Sequence, residues 1–141
     1  MSDVFTISVP SKAEYVNVVR LTTSAVASRM GFNIEEIEDI KVAVAEACTN
    51  AIKYGKYSCN EKDLENFNIK YCVEYDKMIV EIQDNGKGFC TEDIEEPDLT
   101  SPKEGGLGIF IIRSLMDEVD IISAPEKGTI IKMIKYLGDD I

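Results

Sequence analysis

Val42-Ala43-Val44-Ala45-Glu46-Ala47-Cys48-Thr49-Asn50-Ala51-Ile52 is the stretch on which the reading of this chain turns. Small and apolar residues dominate it. Glu46 and Asn50 break that pattern. They stand four residues apart, so on a helix they project from one face, one turn from each other. Asparagine inside a helix is about 0.7 kcal/mol less favourable than alanine, and something should offset that cost. A carboxamide oxygen is a hard ligand suited to Mg2+. A carboxylate one turn away can take a proton from an attacking hydroxyl or water. Taken alone, the pair also fits a plainer arrangement, with Glu46 at the rim of a buried face and Asn50 bonded locally.

Working outward, Asn33-Ile34-Glu35-Glu36 has the form of a helix N-terminal cap, and the helix it opens runs through Ile37, Ile40, Val44 and Ala47 to about Lys53. Upstream, Phe5, Ile7 and Val9 alternate with Thr6 and Ser8, the pattern of a half-buried strand that Pro10 ends. Ser11-Lys12-Ala13-Glu14 reads as a capping box for a first helix. That helix carries apolar spacing at Tyr15, Val18, Val19, Thr22, Val26 and Met30, with Gly31 just past its end. Downstream, Tyr54 to Glu65 is polar and reads as a loop. Phe67, Ile69, Tyr71 and Val73, then Met78, Val80 and Ile82, predict an antiparallel hairpin turning near Asp76. A helix from about Leu107 to Met116, a strand over Val119 to Ser123 and a last strand from Thr129 to Tyr136 complete the chain. The order predicts one α+β domain over residues 1–141, a two-layer sandwich with helices on one face of a mainly antiparallel sheet.

Three further words carry chemistry. Asp84-Asn85-Gly86-Lys87-Gly88-Phe89 follows the strand that ends at Gln83. A carboxylate there can accept the exocyclic amine of adenine, and Gly86 and Gly88 let the backbone approach a flat ring; Asn-Gly is equally a turn signal. Gly105-Gly106-Leu107-Gly108-Ile109 opens a helix, where free backbone amides can receive phosphate; a hinge would also use such glycines. It is not a G-x-x-x-x-G-K-[ST] loop. Lys127-Gly128-Thr129 leads into the final strand and by itself is a simple turn. The stretch from Asp84 to Gly106 is long for a connection inside a compact domain, which marks it as functional or disordered.

The bulk properties narrow the class. With 141 residues, 45% hydrophobic and 29% charged, the chain has the composition of a globular domain. A net charge of −11 has the wrong sign for gripping DNA or RNA directly. Cys48, Cys59, Cys72 and Cys90 have no C-x-x-C spacing, and the chain has no histidine, which argues against structural zinc and for free thiols in a reducing cytosol. The N-terminus lacks the pattern of a secretion signal, and no run of about 18 apolar residues suggests a membrane span, so a cytoplasmic location is expected.

In combination, a helical E-x-x-x-N, a strand ending in D-x-G-x-G, a glycine-rich helix start and a G-T resemble the GHKL ATPase superfamily (gyrase, Hsp90, histidine kinase, MutL) over nearly the whole chain. Within it, Glu46-Ala47-Cys48-Thr49-Asn50-Ala51-Ile52 and Leu115-Met116-Asp117-Glu118-Val119 are similar to the bacterial anti-sigma factor serine kinases. The resemblance implies the Bergerat ATP-binding fold, with ATP and Mg2+ as ligands. Asn50 would hold the Mg2+ that bridges the phosphates, and Glu46 would be general base for a serine hydroxyl. Asp84 would bind the adenine amine with support from Thr129, Gly86 and Gly88 would shape the adenine site, and Gly105, Gly106 and Gly108 would wrap the phosphates as a lid. Lys87, Lys103 and Arg113 fit either extra phosphate or partner contacts or a solvated surface. Relatives often carry a histidine shortly after the Asn, where Tyr54 stands here.

The implied partners are a sigma factor, an anti-anti-sigma (STAS-type) protein carrying the target serine, and a second copy of the chain. Two other readings stay open. One is an ATP-binding anti-sigma module without kinase activity. The other is a histidine-kinase-type catalytic module acting in trans, since a chain without histidine cannot phosphorylate itself on one.

Overall fold

A computed structural model describes residues 2–55, 66–84, 104–124 and 128–138. In chain order the elements are β1 (Asp3–Pro10), a short 3-10 turn (Ala13–Tyr15), α1 (Val16–Met30), α2 (Ile34–Gly55), β2 (Asn66–Val73), β3 (Lys77–Asp84), α3 (Glu104–Leu115), β4 (Glu118–Ala124) and β5 (Gly128–Tyr136). The strands form a five-stranded sheet in the order β1-β2-β3-β5-β4, and every neighbouring pair is antiparallel. The α+β architecture expected from the sequence is the one observed.

Strand alternation sends Phe67, Ile69 and Tyr71 of β2, Met78, Val80 and Ile82 of β3, and Ile131 and Met133 of β5 into one core. Helix α2 lies over β3 and β5 and is flanked by α1 and α3. Its Ile40, Ala43, Val44, Ala47, Cys48 and Ala51 are all buried in that core. The many alanines let the surrounding elements come close to the α2 backbone. They also bring the polar residues of the same helix near those elements.

The ends of the helices show which local signals won. At the start of α2, Asn33 Oδ1 accepts from the Glu36 N–H at 2.8 Å and Glu36 Oε1 accepts from the Asn33 N–H at 3.0 Å. This reciprocal pair is the expected capping box. Gly31 ends α1 in the left-handed conformation at φ 100°. The expected box at Ser11–Glu14 does not form. Lys12 is the N-cap of the 3-10 turn and makes no side-chain cap bond, while its N–H donates to the Pro10 carbonyl at 2.8 Å. That turn settles the amide of Tyr15 on the Lys12 carbonyl and delays the α-helix to Val16.

The face of α1 also differs from expectation. Val19, Thr23 and Ala27 point inward, whereas Val18 is exposed and the Thr22 hydroxyl donates back to the Val18 carbonyl. The inward threonine has a tertiary partner. Thr23 Oγ1 lies 2.8 Å from the Tyr71 hydroxyl and donates to the Val19 carbonyl at 2.7 Å, a bridge between α1 and β2 inside the core.

Candidate active site

Glu46 and Asn50 sit one turn apart on α2, on the side that meets α3. Thr49 between them turns its hydroxyl back to the Ala45 carbonyl at 3.0 Å and takes no part in the contact. Asn50 is 4% exposed, and its Nδ2 has no hydrogen-bond partner among the described residues. A buried, unsatisfied amide costs about 1–3 kcal/mol, so this group is built for something besides packing. Glu46 is half-buried beside it.

The arrangement is closed by α3. Seen from Gly108, the nearest atoms that a side chain would meet are Glu46 Oε2 and the two terminal atoms of Asn50. Helix α3 begins at Glu104, three residues before the expected start at Leu107. Gly105 and Gly106 therefore lie in its first turn, whose N–H groups have no acceptor within the helix. The contact between α3 and the Glu46/Asn50 pair lies at Gly108, one turn into the helix.

A second centre forms at the end of β3. The register pairs Gln83 with Ile130, and one step further sets Asp84 opposite Thr129. Both side chains are buried, Asp84 at 5% exposure and Thr129 at 7%. Asp84 Oδ1 accepts the Thr129 backbone N–H at 3.2 Å. This bond fixes one carboxylate oxygen and ties the last residue of β3 to the start of β5. The sequence coupled these residues only through the resemblance; here the sheet joins them directly. Gly86, Gly88, Lys87 and Lys103 lie outside the described residues. Arg113 is exposed on α3.

The word Leu115-Met116-Asp117-Glu118-Val119 has a structural use. The Asp117 N–H donates to the Ile134 carbonyl at 2.9 Å, and its Oδ2 accepts the Tyr136 N–H at 2.7 Å. Lys135 Nζ donates to the Leu115 carbonyl at 2.8 Å. These bonds clasp the exit of α3 to β5 and so hold α3 in place over α2.

The donor set can be tested against a metal-bound nucleotide on chemical grounds. A buried carboxamide offers one hard oxygen for a cation and one N–H2 for a phosphate oxygen, and Nδ2 of Asn50 is the atom without a partner among the described residues. The residues fit that group.

This two-layer fold, with a carboxylate and a carboxamide on its central helix and a buried aspartate at a strand end, defines an ATP-binding domain of the GHKL kind. Residues 9–135 match the family described as the Histidine kinase-like ATPase domain, and the chain belongs to that family. Its relatives include the serine-protein kinase RsbW of Oceanobacillus iheyensis, 41% identical over 98% of this chain and 89% of that protein. RsbW of Listeria monocytogenes serovar 1/2a is 38% identical over 99% of this chain and 90% of its own. Among solved structures, that of the RsbU and RsbW domains of Rv1364c from Mycobacterium tuberculosis superposes with a TM-score of 0.69 at 15% identity. It covers 99% of this chain and 35% of that longer one, and the likeness is one of fold. Among the described residues, no helix is long and apolar enough to cross a membrane.

Proposed function

We propose that this chain is an anti-sigma factor and serine-protein kinase, which sequesters a sigma factor and phosphorylates a serine of an anti-anti-sigma (STAS-type) protein. The observation that carries the reading is the α2–α3 junction, where Glu46 and the unsatisfied Asn50 amide share one contact surface. The match to serine-protein kinases over nearly full length supplies the reaction class.

In this reading each residue has one task. Asp84 accepts the amine of adenine on its carboxylate, which the bond to the Thr129 N–H holds in place. Gly86 and Gly88 line the ring, and Gly105 and Gly106 form the phosphate-facing opening of α3. Asn50 holds Mg2+ through its oxygen and donates to a phosphate oxygen through its nitrogen. Mg2+, when bound, neutralises charge on the transferring phosphoryl group. Glu46, one turn away, accepts the proton of the attacking serine hydroxyl. Phosphoryl transfer needs chiefly positioning and charge neutralisation, and a positioned base adds about 10²–10⁴-fold. The protein works in the cytoplasm and as a homodimer. Its net charge of −11 favours partner surfaces with basic patches.

The test is a transfer assay with labelled ATP, Mg2+ and a candidate serine-bearing antagonist. Acid-stable label on the antagonist is expected from the parent. Glu46→Ala should lower transfer by about 10²-fold or more while still binding ATP. Acid-labile label would point to a histidine acceptor, and parental transfer by Glu46→Ala would overturn the base assignment.

A further inference from the structure

Gly108 occupies an ordinary helical position, because its φ lies outside the left-handed range, so backbone freedom does not explain the glycine. In a helix interior alanine would be the better residue. Gly108 is the fifth residue of α3, and an α-helix leaves only its first four N–H groups without an internal acceptor. Its amide is therefore committed to the helix and differs from those of Gly105 and Gly106. What singles out position 108 is what lies in front of it. A Cβ there would stand 3.2 Å from Glu46 Oε2 and 3.3 Å from both Asn50 Nδ2 and Asn50 Oδ1. The same construction at Gly31 and Gly138 meets nothing within 4 Å.

We infer that Gly108 is a positioning residue, whose missing side chain lets α3 close onto Glu46 and Asn50 and hold that pair in one geometry. The two neighbours respond differently to an added methyl. Glu46 is half-buried on a flexible stem and can swing aside, which abandons its orientation. Asn50 is buried and cannot. Alanine at 108 therefore either displaces α3 or displaces the pair, and both outcomes change the site. The inference deepens the kinase reading, but its packing half stands without it.

The first test is thermal unfolding of the full chain without nucleotide. Gly108→Ala is made in the parent and in a Glu46→Ala/Asn50→Ala background, where the three opposing atoms are gone. In the parent the melting temperature should fall by about 3 °C or more. In the double-alanine background it should rise by about 2–4 °C, since only the gain in helix propensity remains. A Gly108→Ala chain that folds only in the double-alanine background supports the inference equally. Equal shifts in both backgrounds, or failure to fold in both, overturn it.

The second test separates positioning from phosphate wrapping. Gly108→Ala should lower kcat for transfer about tenfold or more, a larger factor than any accompanying loss of Mg·ATP affinity. Weakened nucleotide binding with kcat unchanged would sink the positioning role. If the parent itself transfers no phosphate, the kinase reading fails, while the unfolding comparison still decides the packing claim.

Discussion

Replacing Asp84 by asparagine tests the adenine assignment at a single atom. Asp84 Oδ1 is committed to the Thr129 N–H at 3.2 Å, and Asn can keep that bond through its own Oδ1. The second oxygen becomes an N–H2 group, so the acceptor offered to the adenine amine turns into a donor. A hydrogen bond to a charged group contributes about 1.5–3 kcal/mol, which corresponds to roughly a 10- to 150-fold rise in Kd for ATP. Facing two donors together pushes the effect toward the upper end. An inosine nucleotide carries a carbonyl where adenine has its amine, so its preference should reverse and Asp84→Asn should bind it more tightly than the parent does. Isothermal calorimetry with both nucleotides measures this. Exchanging a charged for a neutral acceptor at Thr129 should cost the fold about 1 kcal/mol, read from urea unfolding, and this guards against mistaking unfolding for lost affinity. Asp84 is not the adenine acceptor if the variant binds ATP as the parent does and gains nothing for inosine.

Other outcomes follow from the core and the caps. Thr23→Val should cost about 1–3 kcal/mol in urea unfolding, because it leaves the Tyr71 hydroxyl with only a 3.4 Å contact to the Val19 carbonyl. Asn33→Ala should cost about 1 kcal/mol, since both bonds of the α2 capping box need that side chain or its fixed geometry. Burial pushes the Cys48 thiol from 9.0 up to about 12, and burial likewise raises Tyr71 from 10.0 to about 12 despite its bond with Thr23. Both folded values exceed the unfolded ones, so the stabilisation is complete below pH 9 and is lost as pH rises. Unfolding free energy should fall by about 1.4 kcal/mol per pH unit above pH 9 and about twice that from pH 10 to 12. A Cys48→Ala chain should lose the first part of that slope. At neutral pH Cys48 should resist thiol reagents while the half-buried Cys72 reacts, as mass spectrometry of the labelled, folded protein would show.

Local order was legible wherever a short-range rule met no competitor. The β2–β3 hairpin follows from strict alternation over Phe67–Val73 and Met78–Ile82, and α2 follows from its periodic apolar face and the Asn33/Glu36 box. The Ser11–Glu14 box failed because the turn starts one residue later than the pattern needs, with Lys12 rather than Ser11 at the N-cap and a 3-10 turn in place of a first α-turn. The inward face of α1 escaped because Thr23 pairs with Tyr71, 48 positions away, and no local spacing reports such a partner.

The sequence by itself determined which groups could do chemistry. Glu46 and Asn50 share a helix face at any tertiary structure, because 3.6 residues per turn brings positions four apart together. The sheet decided that Asp84 meets Thr129, since antiparallel register joins residues 45 apart in the chain. Packing decided that Gly108 faces Glu46 and Asn50. Contact between two helices depends on their separation and crossing angle, and these are set by side chains spread over the whole core.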